Sequence, residues 1–372
     1  MTDDERTNDA WYSFPGAEND VVLSTRVRLA RNLANFPFPQ KLSGGDGERV
    51  RALLFDAFNR VEDSERYHSI FVNQLDSLGA TILQERGVLP ERAASERNSG
   101  IILRNDGRLA CTVNIGDHVH ISSFASGLDC DGAFSVCHAL DLQLQQSVQF
   151  AASYDHGYLT TSLLDAGSGM KLSVRMHLPC LSLQGRLRSV MDDMASKGIA
   201  VTACFGAGGL NGVSSIGSRG AALGAFYQLT STNSFTGSEI DQIAVVASSA
   251  KQLLEQERAA REECATAMVS DIKNYLYRSI ALARYSLFVP LREAIDLISG
   301  IKLGNDLKLV NGIDAAGIHA LLYRVQNGHL EFVAKNGTFQ FEKDIATNTQ
   351  KKNDRLRALI LQEAFEHCIL AL

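Results

Sequence analysis

Two arginines, Arg26 and Arg28, stand in the segment Asp20–Ala30, DVVLSTRVRLA. The Val21-Val22-Leu23 start favours a strand. Alternation along a strand puts both guanidinium groups on one face and Val27 and Leu29 on the other. Such a pair suits an anionic ligand, with solvation or salt bridging as the ordinary alternative. Asp117, His118 and His120 lie in a second alternating stretch, GIILRNDGRLACTVNIGDHVHIS. The two histidines, two positions apart, face the same side of a strand, an arrangement that fits a structural or phosphate-adjacent pair better than a metal site. His156, His177, His319, His329 and His367 show no metal-ligand spacing. A short loop, Asp165-Ala166-Gly167-Ser168-Gly169, supplies another acid, and Lys351-Lys352-Asn353-Asp354-Arg355 reads as a charged helix face.

These residues need elements to position them. Asn105-Asp106-Gly107 is a hairpin turn signal between two short strands. Glu48–Val61 reads as an amphipathic helix with Val50, Leu53, Leu54 and Phe58 on one stripe. Leu128–Tyr154 and Leu183–Lys197 read as further helices, and Gly157–Pro179 as strand-like around the Asp165 loop. Gly206–Gly224 is rich in glycine and reads as a mobile loop over a strand end. From Ser238 onward the pattern is helical, with a long charged helix over Ile240–Met268. Mixed elements followed by helices predict an α+β domain, residues 1–255, and an all-α domain, residues 256–372. Trp11, the single tryptophan, is expected to pin the N-terminal segment to the first domain.

The bulk properties set limits. The 372 residues carry 45% hydrophobic and 21% charged side chains, the balance of a folded protein with ample core. A net charge of -6 offers no global basic footprint for nucleic acid. The opening MTDDERTNDAWYSF lacks the basic and apolar regions of a signal peptide, and no apolar run is long enough to span a bilayer. A cytoplasmic protein is therefore expected. The seven cysteines are scattered and form no C-x-x-C pair, so neither a disulfide framework nor a structural metal is expected.

The run NDVVLSTRVRLARNLANFPFP, Asn19 to Pro39, resembles the signature of the ATP:guanidino phosphotransferases, and of the bacterial protein arginine kinases in particular. Further likenesses follow in order. Asn114, Asp117 and His118 fit an N-E-E-D-H segment. Gly157-Tyr158-Leu159-Thr160 and Met176-His177-Leu178-Pro179 fit the flanks of a reactive-cysteine loop. Tyr227-Gln228 fits the end of a glycine-rich loop. Ile301–Leu307 resembles R-L-G-I-D-L, and Asp354, Arg357 and Ala358 fit R-D-x-x-R-A. The resemblance implies a large antiparallel sheet flanked by helices, then a helical domain that dimerises. It also implies a C-terminal phosphoarginine pocket, here Asp354 and Arg357 with Asn353 in place of the first arginine. ATP with magnesium is the implied cofactor, and the Clp protease machinery with a small zinc-binding activator protein are the implied partners.

Phosphoryl transfer to a guanidinium needs cations on the phosphates, carboxylates on the acceptor, and both in line. By resemblance Arg26 and Arg28 match two phosphate arginines. His120 and Lys171 stand at two more, and Val213 at the last, where Arg219 fits only with an insertion. Lysine keeps the charge without the bidentate fork. The acid positions are emptier. Ile115 and Gly116 replace the paired glutamates, Gly116 standing at the catalytic base. Ser218 replaces the second clamping glutamate and Ser162 the reactive cysteine, with Leu163 after it. Loss of a general base lowers a rate by roughly 10²- to 10⁴-fold. Asp165 is the candidate substitute. Three readings result: a pseudokinase that keeps fold and ligand recognition, an active arginine kinase with a rearranged carboxylate, and a structural subunit that pairs with an active paralogue.

Overall fold

The computed structural model describes residues 10–90, 98–206, 222–235, 237–313 and 315–371. Eight strands form one antiparallel sheet: β1 Val22–Arg31, β2 Tyr67–Phe71, β3 Gly100–Arg104, β4 Leu109–Ile115, β5 Asp117–Ser126, β6 Met170–His177, β7 Ile199–Ala203 and β8 Phe226–Ser231. Their order is β2-β3-β4-β5-β1-β6-β8-β7, which puts β1 between β5 and β6. The register sets Arg28 opposite Ser122 and Lys171, and Arg26 opposite Phe124 and Ser173. The Asn105-Asp106-Gly107 turn joins β3 to β4 as expected, with Gly107 at φ +68.

Strand alternation sorts this sheet into two faces. Val27, Leu29, Ile121, Leu172 and Val174 join a single apolar core. Cys137 and Leu140 reach that core from helix Cys130–Gln145, and Val246 and Leu253 from Glu239–Ala267. Burying each such aliphatic side chain contributes about 1.5–3 kcal/mol. The opposite face keeps Arg26 and Arg28 only half-buried.

Helices follow in chain order as α1 Gly44–Phe58, α2 Ser77–Glu85, α3 Cys130–Gln145, α4 Pro179–Leu183, α5 Leu187–Ser196, α6 Glu239–Ala267 and α7 Val269–Tyr285. They continue with α8 Leu291–Asp306, α9 Ala315–Arg324, α10 Asn327–Asn336, α11 Lys343–Ala346 and α12 Thr349–Ala364. The α1 helix begins four residues earlier than the periodicity suggested, because Ser43 caps it by accepting from the Asp46 amide. The expected helix Leu128–Tyr154 is shorter. Asp129 caps its start, and it ends at Gln145. Beyond that point Phe150 bridges to Leu33, and Ala152–Ser153 pairs with Gly157–Tyr158.

Strands and helices first, then helices, is the observed order, except that Val310–Asn311 and Ile369–Leu370 pair as a short two-stranded ladder within the helical region. A second core joins α7, α8, α9, α10 and α12 through Ile280, Ile298, Leu322, Leu330 and Leu361. It also takes in Leu23 and Phe226 from the sheet. The expected division after residue 255 falls inside α6, which runs unbroken from Glu239 to Ala267. A charged network fastens the two regions. Asp20 pairs with Arg258 and Arg261, and Arg261 reaches Asp306, which also takes Lys302 at 2.9 Å. Trp11 stacks on Phe124 at 5.6 Å and meets Tyr323 of α9 edge-on at 6.1 Å. Among the described residues no helix is long and apolar enough to cross a membrane.

Candidate active site

The half-buried face of the central strands carries a row of cations. Arg26 Nη2 donates to Ser122 Oγ at 3.2 Å, and its guanidinium lies 5.2 Å from the Phe124 ring centre. Its Nε is buried without a partner, and among the described residues no carboxylate pairs with it. Burial, followed by the charges of Arg28 and Arg175, pushes the Arg26 guanidinium down to about 9, so it stays charged at neutral pH. A half-buried cation with a sealed, unpartnered Nε and no counter-charge gains when an anion arrives to share it.

Arg28 and Lys171, cross-strand neighbours, share one acid. Asp165 Oδ2 accepts from Arg28 at 2.8 Å and Oδ1 from Lys171 at 3.3 Å. Both oxygens of Asp165 are thus committed to cations. The sequence offered Asp165 as a substitute carboxylate for the acceptor; the geometry sets it between Arg28 and Lys171. Arg175 joins the row and was not foreseen. It donates to Gln228 Oε1 at 3.4 Å and to the Tyr323 hydroxyl at 3.4 Å. The signal for it was present, because Lys171, Ser173 and Arg175 alternate along β6.

Asp117 and His120 form a second unit. His120 Nε2 lies 2.9 Å from Asp117 Oδ2, while Asp117 Oδ1 accepts from Asn32 Nδ2 and the Thr161 amide, each at 2.7 Å. Burial alone would raise the Asp117 carboxyl; the bonds from His120, Thr161 and Asn32 outweigh it and hold it at about 2. The same carboxylate faces His120, whose imidazole is pushed below the usual range, chiefly by burial and also by Arg28 and Arg26. His118 does other work. Its Nδ1 accepts from the Leu33 amide at 2.9 Å and its Nε2 faces the Pro37 carbonyl at 3.0 Å. It fastens the segment after β1.

Gly116 sits at φ +77, and a Cβ built there would lie 3.2 Å from His120 Cε1. Ser162 is exposed, and its carbonyl accepts from Thr160 Oγ1 at 2.7 Å. Neither position carries an acid or a thiol. Val213, Ser218 and Arg219, with most of the expected glycine-rich loop, lie outside the described residues. Asp354 and Arg357 do meet, at 2.7 Å. Arg357 is fully buried and also donates to the Val325 and Val289 carbonyls and to Asn327 Oδ1. Its guanidinium is occupied in holding α12 to the loops before α8 and α10.

A cavity of about 360 Å³ opens beside the basic row, lined by Trp11, Tyr12, His68, Arg104, Phe124 and Tyr323 among others. Its aromatic walls suit a planar ring. Phe124 lies between this cavity and Arg26. Among the described residues no three His, Cys, Asp or Glu side chains group as a metal site.

Residues 49–260 match the model of the ATP:guanido phosphotransferase C-terminal catalytic domain, and residues 269–369 match that of the protein-arginine kinase McsB C-terminal domain. The protein-arginine kinase of Pelotomaculum thermopropionicum is 29% identical over 355 residues, 93% of this chain and 96% of that protein. That of Halothermothrix orenii is 26% identical over 336 residues, 90% of this chain and 93% of that protein. Among solved structures, lombricine kinase aligns with a TM-score of 0.55 at 17% identity, over 69% of this chain and 75% of its own. The substrate-free duplicated taurocyamine kinase of Schistosoma mansoni aligns with a TM-score of 0.55 at 18% identity, over 68% of this chain and 36% of its own. These two likenesses concern the fold. With the catalytic-domain model matched over more than half of its 372 residues and a protein-arginine kinase C-terminal domain after it, the chain belongs to the ATP:guanido phosphotransferase family.

Proposed function

We propose that this chain is a pseudokinase: a protein-arginine kinase homologue that binds Mg-ATP on its basic face without phosphorylating a guanidinium. One observation carries the reading. Arg26, Arg28, Lys171 and Arg175 share a face beside an aromatic cavity, while Gly116 and Ser162 offer no carboxylate or thiol to an acceptor. The phosphates replace Asp165 on Arg28 and Lys171 and complete the coordination of Arg26. The base enters the cavity walled by Phe124 and Trp11. Magnesium travels on the phosphates, as this ion usually does. Asp165 is tied to two cations, which weighs against the rearranged-carboxylate reading.

The same reading makes the protein a cytoplasmic homodimer, joined through its C-terminal helices, that regulates Clp-linked protein quality control. A small zinc-binding activator protein is its expected partner. Phosphoarginine recognition at Asp354 and Arg357 requires Arg357 to release one of its present partners. The experiment is calorimetry with Mg-ATP on the wild type and on the double variant Arg26→Ala, Arg28→Ala, with a phosphoarginine assay on a model protein. Binding that weakens by at least tenfold in the double variant, without phosphoarginine, supports the proposal. Robust phosphoarginine formation overturns it. Absence of binding leaves a structural subunit pairing with an active paralogue.

A further inference from the structure

The Asp117–His120 unit has a free end. His120 Nε2 is engaged by Asp117 Oδ2 at 2.9 Å, which assigns its proton to that bond and leaves Nδ1 unprotonated. Among the described residues Nδ1 has no hydrogen-bond partner, and the His120 side chain keeps 15% of its surface exposed. The register places His120 beside the basic row. Ser122, next on the same face of β5, stands opposite Arg28 and bonds Arg26, so His120 is the diagonal neighbour of Arg28.

The acids around this face decide which acceptor it tolerates. Asp117 serves His120, Asn32 and the Thr161 amide; Asp165 serves Arg28 and Lys171. Neither has a lone carboxylate edge for an incoming guanidinium, and the four cations of the row repel one. A neutral acceptor meets no such penalty. Water is the smallest.

We propose that His120, oriented by Asp117, is the general base of a slow nucleoside-triphosphatase activity on this face. The inference rests on the nucleotide binding proposed above and adds chemistry to it. The water oxygen forms a bond to the γ-phosphorus and its proton passes to His120 Nδ1. The bond from the γ-phosphorus to the bridging oxygen breaks, and its electron pair leaves with the nucleoside diphosphate. Arg26, Arg28 and Lys171 neutralise the charge that develops. His120 then returns the proton to solvent. Asp117 is a positioning residue, fixing the tautomer and the ring.

The test is phosphate release from Mg-ATP by the full chain, with calorimetric ATP binding measured in parallel. Release at saturating Mg-ATP is expected to fall by roughly 10²- to 10⁴-fold in His120→Asn, well beyond any change in ATP affinity measured in parallel. Added imidazole is expected to restore part of the rate in His120→Ala, and the double variant Arg26→Ala, Arg28→Ala is expected to release none. The pH profile separates the two roles. The charged groups facing His120 are Asp117 on its own strand and Arg26 and Arg28 on β1; its cross-strand neighbours Ala30 and Thr112 carry no charge. Release is flat through neutral pH and falls on acidification. In Asp117→Asn the acid limb moves to lower pH, because the carboxylate that favoured protonation is gone. Intact ATP binding with no release, or release untouched in His120→Asn, overturns the inference and leaves the binding proposal standing. Loss of ATP binding in the wild type overturns both. A phosphoimidazole at His120 found by mass spectrometry overturns the base in favour of a covalent step.

Discussion

Asp165 bonds two cations of the basic row, so it competes with any anion that seeks them. Asp165→Asn removes the competitor's charge and is expected to tighten Mg-ATP binding by roughly tenfold, the worth of about one charge-assisted hydrogen bond. Calorimetry on the variant reads this directly, and weaker binding would show that Asp165 organises the arginines. Gly116 makes the opposite point about repair. Its φ of +77 and the nearby His120 ring leave poor room for a side chain. Gly116→Glu is expected to destabilise the fold by about 1–2 kcal/mol through the left-handed backbone alone, with no gain of arginine phosphorylation. Asp117 adds a pH dependence. Its carboxyl, near 3.8 when unfolded, is held at about 2 in the fold. A depressed carboxyl contributes stability that is full above the unfolded value and lost as pH falls through the folded one. Denaturation midpoints are therefore expected to drop between about pH 4 and pH 2, and to drop less in Asp117→Asn. At this scale the shared face of Arg26 and Arg28 was legible from alternation along β1, whereas Lys171 was reached only through the resemblance. The reach of Asp165 across the sheet to Arg28 was not legible, because one-dimensional distance to the reactive-cysteine position says nothing of it.

Elements were legible where local chemistry dominates. The Asn105-Asp106-Gly107 turn and the long helix over Glu239–Ala267 follow from turn residues, a capping box at Ser238 and unbroken periodicity. Helix α3 was read too long because Val148 and Phe150 continue an apolar pattern; the bridge from Phe150 to Leu33 overrides it. Glu257 shows how one element fixes another. Buried on α6, it accepts from the Cys180 and Leu181 amides at the start of α4 and from Arg261 Nε. Glu257→Ala leaves the buried Arg261 Nε and two buried amides without their acceptor, although Asp20 and Asp306 still face Arg261, and is expected to cost about 3–5 kcal/mol, measurable as a lower denaturant midpoint. A shift under 1 kcal/mol would mean that solvent reaches those groups.

At the scale of the molecule, mixed elements first and helices after were legible from periodicity, but the division after residue 255 was not placed by any linker signal. The reason is physical: α6 carries the chain through that point, and the network of Asp20, Arg258, Arg261, Lys302 and Asp306 ties both regions together. One cooperative unfolding transition is expected, coincident by near- and far-ultraviolet circular dichroism. Two separated transitions would show independent units. The packing of Trp11 has a practical consequence. As the single indole of the chain, it touches Phe124 of the sheet, Tyr323 of α9 and the wall of the aromatic cavity at once. Excitation at long ultraviolet wavelengths selects this one fluorophore. Its quantum yield then registers a base stacking nearby, and its emission maximum registers the helical region lifting off, so a single unlabelled sample reports both events in a stopped-flow cell.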